Sequence, residues 1–139
     1  MAWSLAGLSA AMFVGGIALY VLARVAQSPD DPAAEPIGKL LIYVPFLAFP
    51  IVGALIASKR PENSIGWICL VAGLFWMSFA LGDASHAYEL ATTGKVTSSV
   101  KLNALLQGTW VPPVGLLGIY MILLFPSGRL PSRRWRPFA

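Results

Sequence analysis

From Trp3 to Ala23 the chain runs without a single Lys, Arg, His, Asp or Glu. Wound as a helix at about 1.5 Å per residue, such a run crosses the roughly 30 Å of hydrocarbon in a bilayer. A helix that is apolar all round belongs either in the core of a large protein or in a membrane, and 139 residues do not make a large protein. Composition points the same way: 12% of the residues are charged and 57% hydrophobic, against about 25% and about 45–50% in soluble domains. The run also exceeds the roughly 7–15-residue core of a secretory signal, and no basic segment precedes it. It reads as a retained spanning helix.

Three further apolar runs follow, from about Leu40 to Ala57, Ile65 to Ala87, and Leu102 to Phe125. They are separated by polar, proline-broken or Thr/Ser-rich stretches that cannot stay in hydrocarbon, such as Ser28-Pro29-Asp30-Asp31-Pro32 and Thr97-Ser98-Ser99. The expected fold is therefore all-α, a polytopic membrane protein of four transmembrane helices at about 3–24, 39–58, 65–88 and 102–125. They form a single domain over 1–139 with a basic tail at 127–139. Pro45 and Pro50 remove backbone donors inside the second run, which predicts a kink or a local distortion of the helix there. Gly7, Ala11 and Gly15 recur every four residues on the first run, a face that would let another helix approach closely in lipid.

The net charge of +4 lies almost entirely in the connections. With the N-terminus inside, Lys59, Arg60, Arg129, Arg133, Arg134 and Arg136 fall on the inner side, against Arg24, Lys39, Lys95 and Lys101 outside. Lysine and arginine favour the cytoplasmic side of short loops, so the expected topology is N-in, C-in. The tail arginines would then meet anionic lipid headgroups, with Trp135 at the interface. That environment leaves nothing to support nucleic-acid binding.

Chemistry-bearing residues are few. Cys69 is alone, and the chain has no phosphate loop, nucleophile elbow or His-Glu-x-x-His motif. Neither an enzymatic activity nor a cofactor is expected, and no metal site is expected. The one constellation is Asp83, Ser85, His86, Tyr88 and Glu89 near the end of the third run. Asp83 and His86, three apart, share a helix face. Asp83 follows Ile65 by about 27 Å of helix, which puts it near the far interface, where an outer ligand or proton could act. Asp83, His86, Tyr88 and Glu89 are thus candidate sensing residues.

Two segments on the inner side carry a recognisable pattern. The first is Lys59-Arg60-Pro61-Glu62-Asn63-Ser64-Ile65-Gly66-Trp67, in which Pro61 and Gly66 can turn the chain, Asn63 can cap a helix, and Trp67 can anchor an interface. The second is Leu124-Phe125-Pro126-Ser127-Gly128-Arg129-Leu130-Pro131-Ser132-Arg133-Arg134-Trp135-Arg136, which ends the fourth run. Together they resemble the N-terminal multi-helix membrane regions of actinobacterial sensor histidine kinases and related membrane proteins of unassigned role. Ser64 stands where that pattern usually has proline. The resemblance implies a membrane input region whose cytoplasmic turn is formed by Arg60, Pro61, Asn63, Gly66 and Trp67. A kinase of that kind continues into a phosphoacceptor helix and an ATP-binding domain, so the 139 residues correspond either to its membrane region or to a free-standing relative.

The functional expectation is an integral-membrane sensor or anchor of a signalling protein, with the bilayer and a membrane-protein partner or second copy as its contacts. Two rivals stand beside it, an accessory subunit of a larger membrane complex and a small oligomeric transporter.

Overall fold

A computed structural model describes residues 1–27, 37–95, 114–120 and 124. Helix α1 spans Ala2–Ala26, a 3-10 helix spans Ile37–Leu47 and runs directly into α2 at Ala48–Lys59, and α3 spans Ser64–Thr93. A single π-helical turn follows at Leu116–Tyr120. Three segments are long and apolar enough to cross a membrane: Ala2–Ala26, Leu41–Lys59 and Ser64–Thr93. The fourth expected helix over 102–125 falls largely outside the described residues, as do the first loop and the whole tail, including Arg129, Arg133, Arg134, Trp135 and Arg136.

The second run shows the local distortion that its prolines predict, though not as a bend in a continuous α-helix. It changes helix type, with Pro45 inside the 3-10 portion and Pro50 in the first turn of α2. The position of Pro50 explains where α2 begins, because first-turn N–H groups need no intrahelical partner. A 3-10 helix rises about 2.0 Å per residue, so Leu41–Leu47 at that rise and Ala48–Lys59 at about 1.5 Å reach roughly 32 Å, enough for the hydrocarbon.

The turn between α2 and α3 is tight and internally bonded. Arg60 N–H donates to the Ile56 carbonyl (2.7 Å) and Asn63 N–H to the Arg60 carbonyl (3.0 Å). The Asn63 side chain accepts from Ile65 N–H at 3.0 Å, capping α3 as its sequence position predicts. At the other end, Gly94 adopts φ 63° and its N–H closes on the Leu90 carbonyl at 3.0 Å, the left-handed stop that a residue without Cβ takes without strain.

Packing within the bundle relies on small residues. Down the antiparallel α2–α3 hairpin, Ala57 faces Gly66, Gly53 faces Leu70, and Pro50 faces Gly73. A methyl group added at Gly53 would lie 2.7 Å from the Leu70 nitrogen, one at Gly66 2.8 Å from the Ala57 nitrogen, and one at Gly73 2.8 Å from the Pro50 nitrogen. The backbones touch, which is how helices associate in lipid where apolar surface alone provides no drive.

Helix α1 lies parallel to α3. Ala2, Leu5 and Ala6 pack on a cluster containing Leu70, Gly16 sits over Ala80 and Ala84, and Tyr20 and Ala23 are buried with Ala84 and Ala87. The α1 contact face is therefore Ser9, Gly16, Tyr20 and Ala23, not the Gly7, Ala11, Gly15 face. Nothing lies within 4 Å of a Cβ at Gly7, and at Gly15 only a Leu81 methyl at 3.6 Å does. The buried Ser9 hydroxyl returns to the Leu5 carbonyl (3.1 Å), so it costs nothing to bury in an apolar seam. The outward surfaces, among them Val25 at 78% exposure and Leu41 at 69%, are apolar, as lipid requires.

Candidate functional site

Polar chemistry concentrates at the end of the bundle remote from the Pro61 turn. At about 1.5 Å per residue the 30 residues of α3 extend roughly 45 Å, well beyond the hydrocarbon thickness. Measured from Ser64, Asp83 stands about 28 Å along the helix, His86 about 33 Å and Glu89 about 37 Å.

The hairpin register continues above Pro50 into the 3-10 helix. There Phe46 stacks on Trp76, with ring centroids 4.1 Å apart and planes at 21°, and one turn further the Tyr43 hydroxyl donates to Asp83 Oδ2 at 2.5 Å. This bond joins segments 40 positions apart in sequence and ties the 3-10 helix to the polar end of α3.

Around this bond Tyr20, Ala23, Ala84 and Ala87 form a buried cluster against which Leu19, Tyr43, Tyr88 and Ala91 pack. Of the four sensing candidates, Asp83 and Tyr88 thus share one assembly, Asp83 through Tyr43 and Tyr88 through the cluster. His86 is partly buried and its Nδ1 has no hydrogen-bond partner among the described residues. Ser85 stands apart from the constellation in which its spacing places it, because its hydroxyl donates to the Leu81 carbonyl of its own helix (2.7 Å). Thr92 and Thr93 likewise return to the carbonyls of Tyr88 and Glu89 at 2.8 and 2.7 Å. Among the described residues, no three His, Cys, Asp or Glu side chains gather as a metal site would require.

Deeper in the bundle, the Trp76 indole N–H is buried between Phe46 and Phe79 without a hydrogen-bond partner among the described residues. Sequence reasoning missed both Tyr43 and the Phe46–Trp76 stack. The available signal was a tyrosine hydroxyl inside an apolar run, where a polar atom needs a partner.

The opposite end holds the turn residues. Trp67 Nε1 donates to the Pro61 carbonyl at 2.9 Å, fastening the first turn of α3 to the loop. Arg60 is exposed. Gly66, expected to help turn the chain, lies inside α3 and serves instead as the contact for Ala57. Leu124 is buried with Ile65 and Cys69, so the fourth run reaches the same end of the bundle as the Asn63 turn and the start of α1.

No family model, curated protein or solved structure matches this chain. The site has to be read from its own geometry.

Proposed function

We propose that the chain is an integral-membrane sensing or anchoring domain of a signalling protein in a bacterial plasma membrane, passing an outer or bilayer stimulus to a cytoplasmic module. In this reading the α1 start, the Arg60–Trp67 turn and the basic tail are cytoplasmic. Asp83, His86, Tyr88 and Glu89 lie at the outer interface. The observation that supports it is the Tyr43–Asp83 hydrogen bond, which ties the polar end of α3 to the 3-10 helix. From there the close contacts of Pro50 with Gly73, Gly53 with Leu70 and Ala57 with Gly66 form an unbroken packed path to the turn. A packed path of this kind transmits displacement because its elements cannot deform independently.

The accessory-subunit reading has one observation in its favour. Ser4, Gly7, Ala11 and Ala18 are exposed on α1, a small-residue face that a neighbouring helix could approach closely.

Native mass spectrometry of the endogenous protein, released gently from its own membranes, separates these readings. A cytoplasmic signalling module on the same chain or bound to it is the expected result. Stoichiometric integral-membrane subunits without such a module would refute the sensor reading in favour of an accessory role. Solute or ion flux through the purified protein in liposomes would refute both in favour of an oligomeric transporter.

A further inference from the structure

The 3-10 helix Ile37–Leu47 is eleven residues long, whereas such runs rarely exceed three or four because their hydrogen bonds are bent and their side chains eclipse. In hydrocarbon an α-helix would satisfy the same backbone groups with better geometry. Pro45 works against that alternative, since in an α-helix its ring meets the carbonyl four residues back. Each conformation therefore carries its own handicap, and a contact outside the segment can choose between them. Contacts with α3 include the Phe46 stack on Trp76, the Tyr43 hydrogen bond to Asp83, and the packing of Tyr43 on the cluster that holds Ala84 and Ala87.

We infer that Ile37–Leu47 is a two-state segment, held long as a 3-10 helix by the Tyr43–Asp83 hydrogen bond and shortening into α-helix when that bond is released. The geometry makes the bond and the α state mutually exclusive. A 3-10 helix advances about 120° per residue and an α-helix about 100°. With α2 fixed on α3 at Pro50 and Gly53, Phe46 turns by only about 20° relative to Leu47 on conversion, while Tyr43 swings by about 80° and leaves Asp83. Phe46 is thus the pivot and Tyr43 the latch. The rise falls by about 0.5 Å per residue, so the segment contracts by about 5 Å, one α-helical turn, drawing its Ile37 end toward α2. The Trp76 indole N–H, stacked on the pivot, has no hydrogen-bond partner among the described residues. This device stands whether the chain senses, anchors or serves a larger complex.

The test measures the length of the second segment in the whole protein, reconstituted in liposomes. Spin labels are placed at the exposed positions Gly38→Cys and Ser58→Cys in a Cys69→Ala background, and their separation is read by pulsed electron paramagnetic resonance. With Tyr43 in place, the two backbone positions are about 35 Å apart along the segment. Tyr43→Phe is expected to shorten the measured distance by about 4–5 Å while keeping a narrow distribution. An unchanged distance overturns the inference, and so does a broad distribution, which would mean the freed segment has no second defined state. Pro45→Ala probes the same balance from the other side with the latch intact, and remains informative if Tyr43→Phe fails to fold. It should add a population at the shorter distance, and a single unshifted distance in that variant also overturns the two-state reading.

Discussion

Replacing Gly73 by alanine tests whether backbone contact between α2 and α3 holds the bundle. The new methyl would meet the nitrogen of Pro50 at 2.8 Å and its Cβ at 3.0 Å, with the ring Cδ closer still. Carbon atoms pack best at about 3.5–4.0 Å, so α2 must retreat by roughly 1 Å, and neither a proline ring nor a backbone nitrogen can rotate out of the way. Overpacking of this kind costs about 1–3 kcal/mol. The expected loss is therefore of that order, offset by at most about 1 kcal/mol from the better helix propensity of alanine. Gly7→Ala is the control, since nothing lies within 4 Å of its added methyl. The assay is unfolding by SDS titration from mixed micelles, followed by helical circular dichroism. The near-ultraviolet signal serves as a second readout, because Phe46 stacks on Trp76 one turn from this contact. Gly73→Ala should unfold at lower SDS fraction and lose near-ultraviolet intensity, while Gly7→Ala should match or exceed the parent. Equal stability of the two variants would refute close backbone packing as the source of cohesion.

Removing the α3 cap by Asn63→Ala should cost about 1 kcal/mol in the same titration, and Asn63→Gly only a few tenths, because Asn63 Oδ1 is the acceptor for Ile65 N–H. Phe46→Leu removes the ring stacked at 4.1 Å on Trp76 and should alter tryptophan fluorescence, which Phe79→Leu, at 6.0 Å and tilted, should change less. For orientation, a cysteine at exposed Ser58 should resist a membrane-impermeant thiol reagent in intact cells and react only after permeabilisation. One at Lys95 should react in both, and the reverse pattern would invert the topology.

The bilayer as solvent was legible because it needs only length and the absence of charge, and three spanning segments lie where their apolar runs do. The Asn63 cap was legible for a similar reason, since an asparagine just before an apolar run has one favourable local role. The 3-10 helix was not. Two prolines announce a departure from regular α-helix, but whether the result is a kink or a change of winding depends on partners such as Asp83 and Trp76, distant in sequence. The α1 face used inside the bundle was not legible, because spacing alone favours Gly7, Ala11 and Gly15, of which Gly7 and Ala11 stay exposed for a contact outside it. The seam actually used includes Ser9 and Tyr20, whose polar atoms look unsuited to it until Ser9 is seen to bond its own helix.

Helix α3 is the one element that every other described segment touches, and the kinds of contact differ along its length. Near the Pro61 turn it meets α2 through glycine and alanine, where backbones are in contact and there is no room to slide. Toward its far end it also meets a 3-10 helix, through contacts that include the Phe46 stack on Trp76 and the Tyr43 hydrogen bond to Asp83. A contact between backbones is lost only if the helices separate, whereas a single hydrogen bond can be broken by competition at one carboxylate. Backbone contact at the turn end and side-chain contact between the 3-10 helix and α3 at the other make the Asp83 end the easier place for a change of shape. That gradient follows from where the small residues stand in the sequence, with Gly53, Gly66 and Gly73 all on the turn side of Asp83.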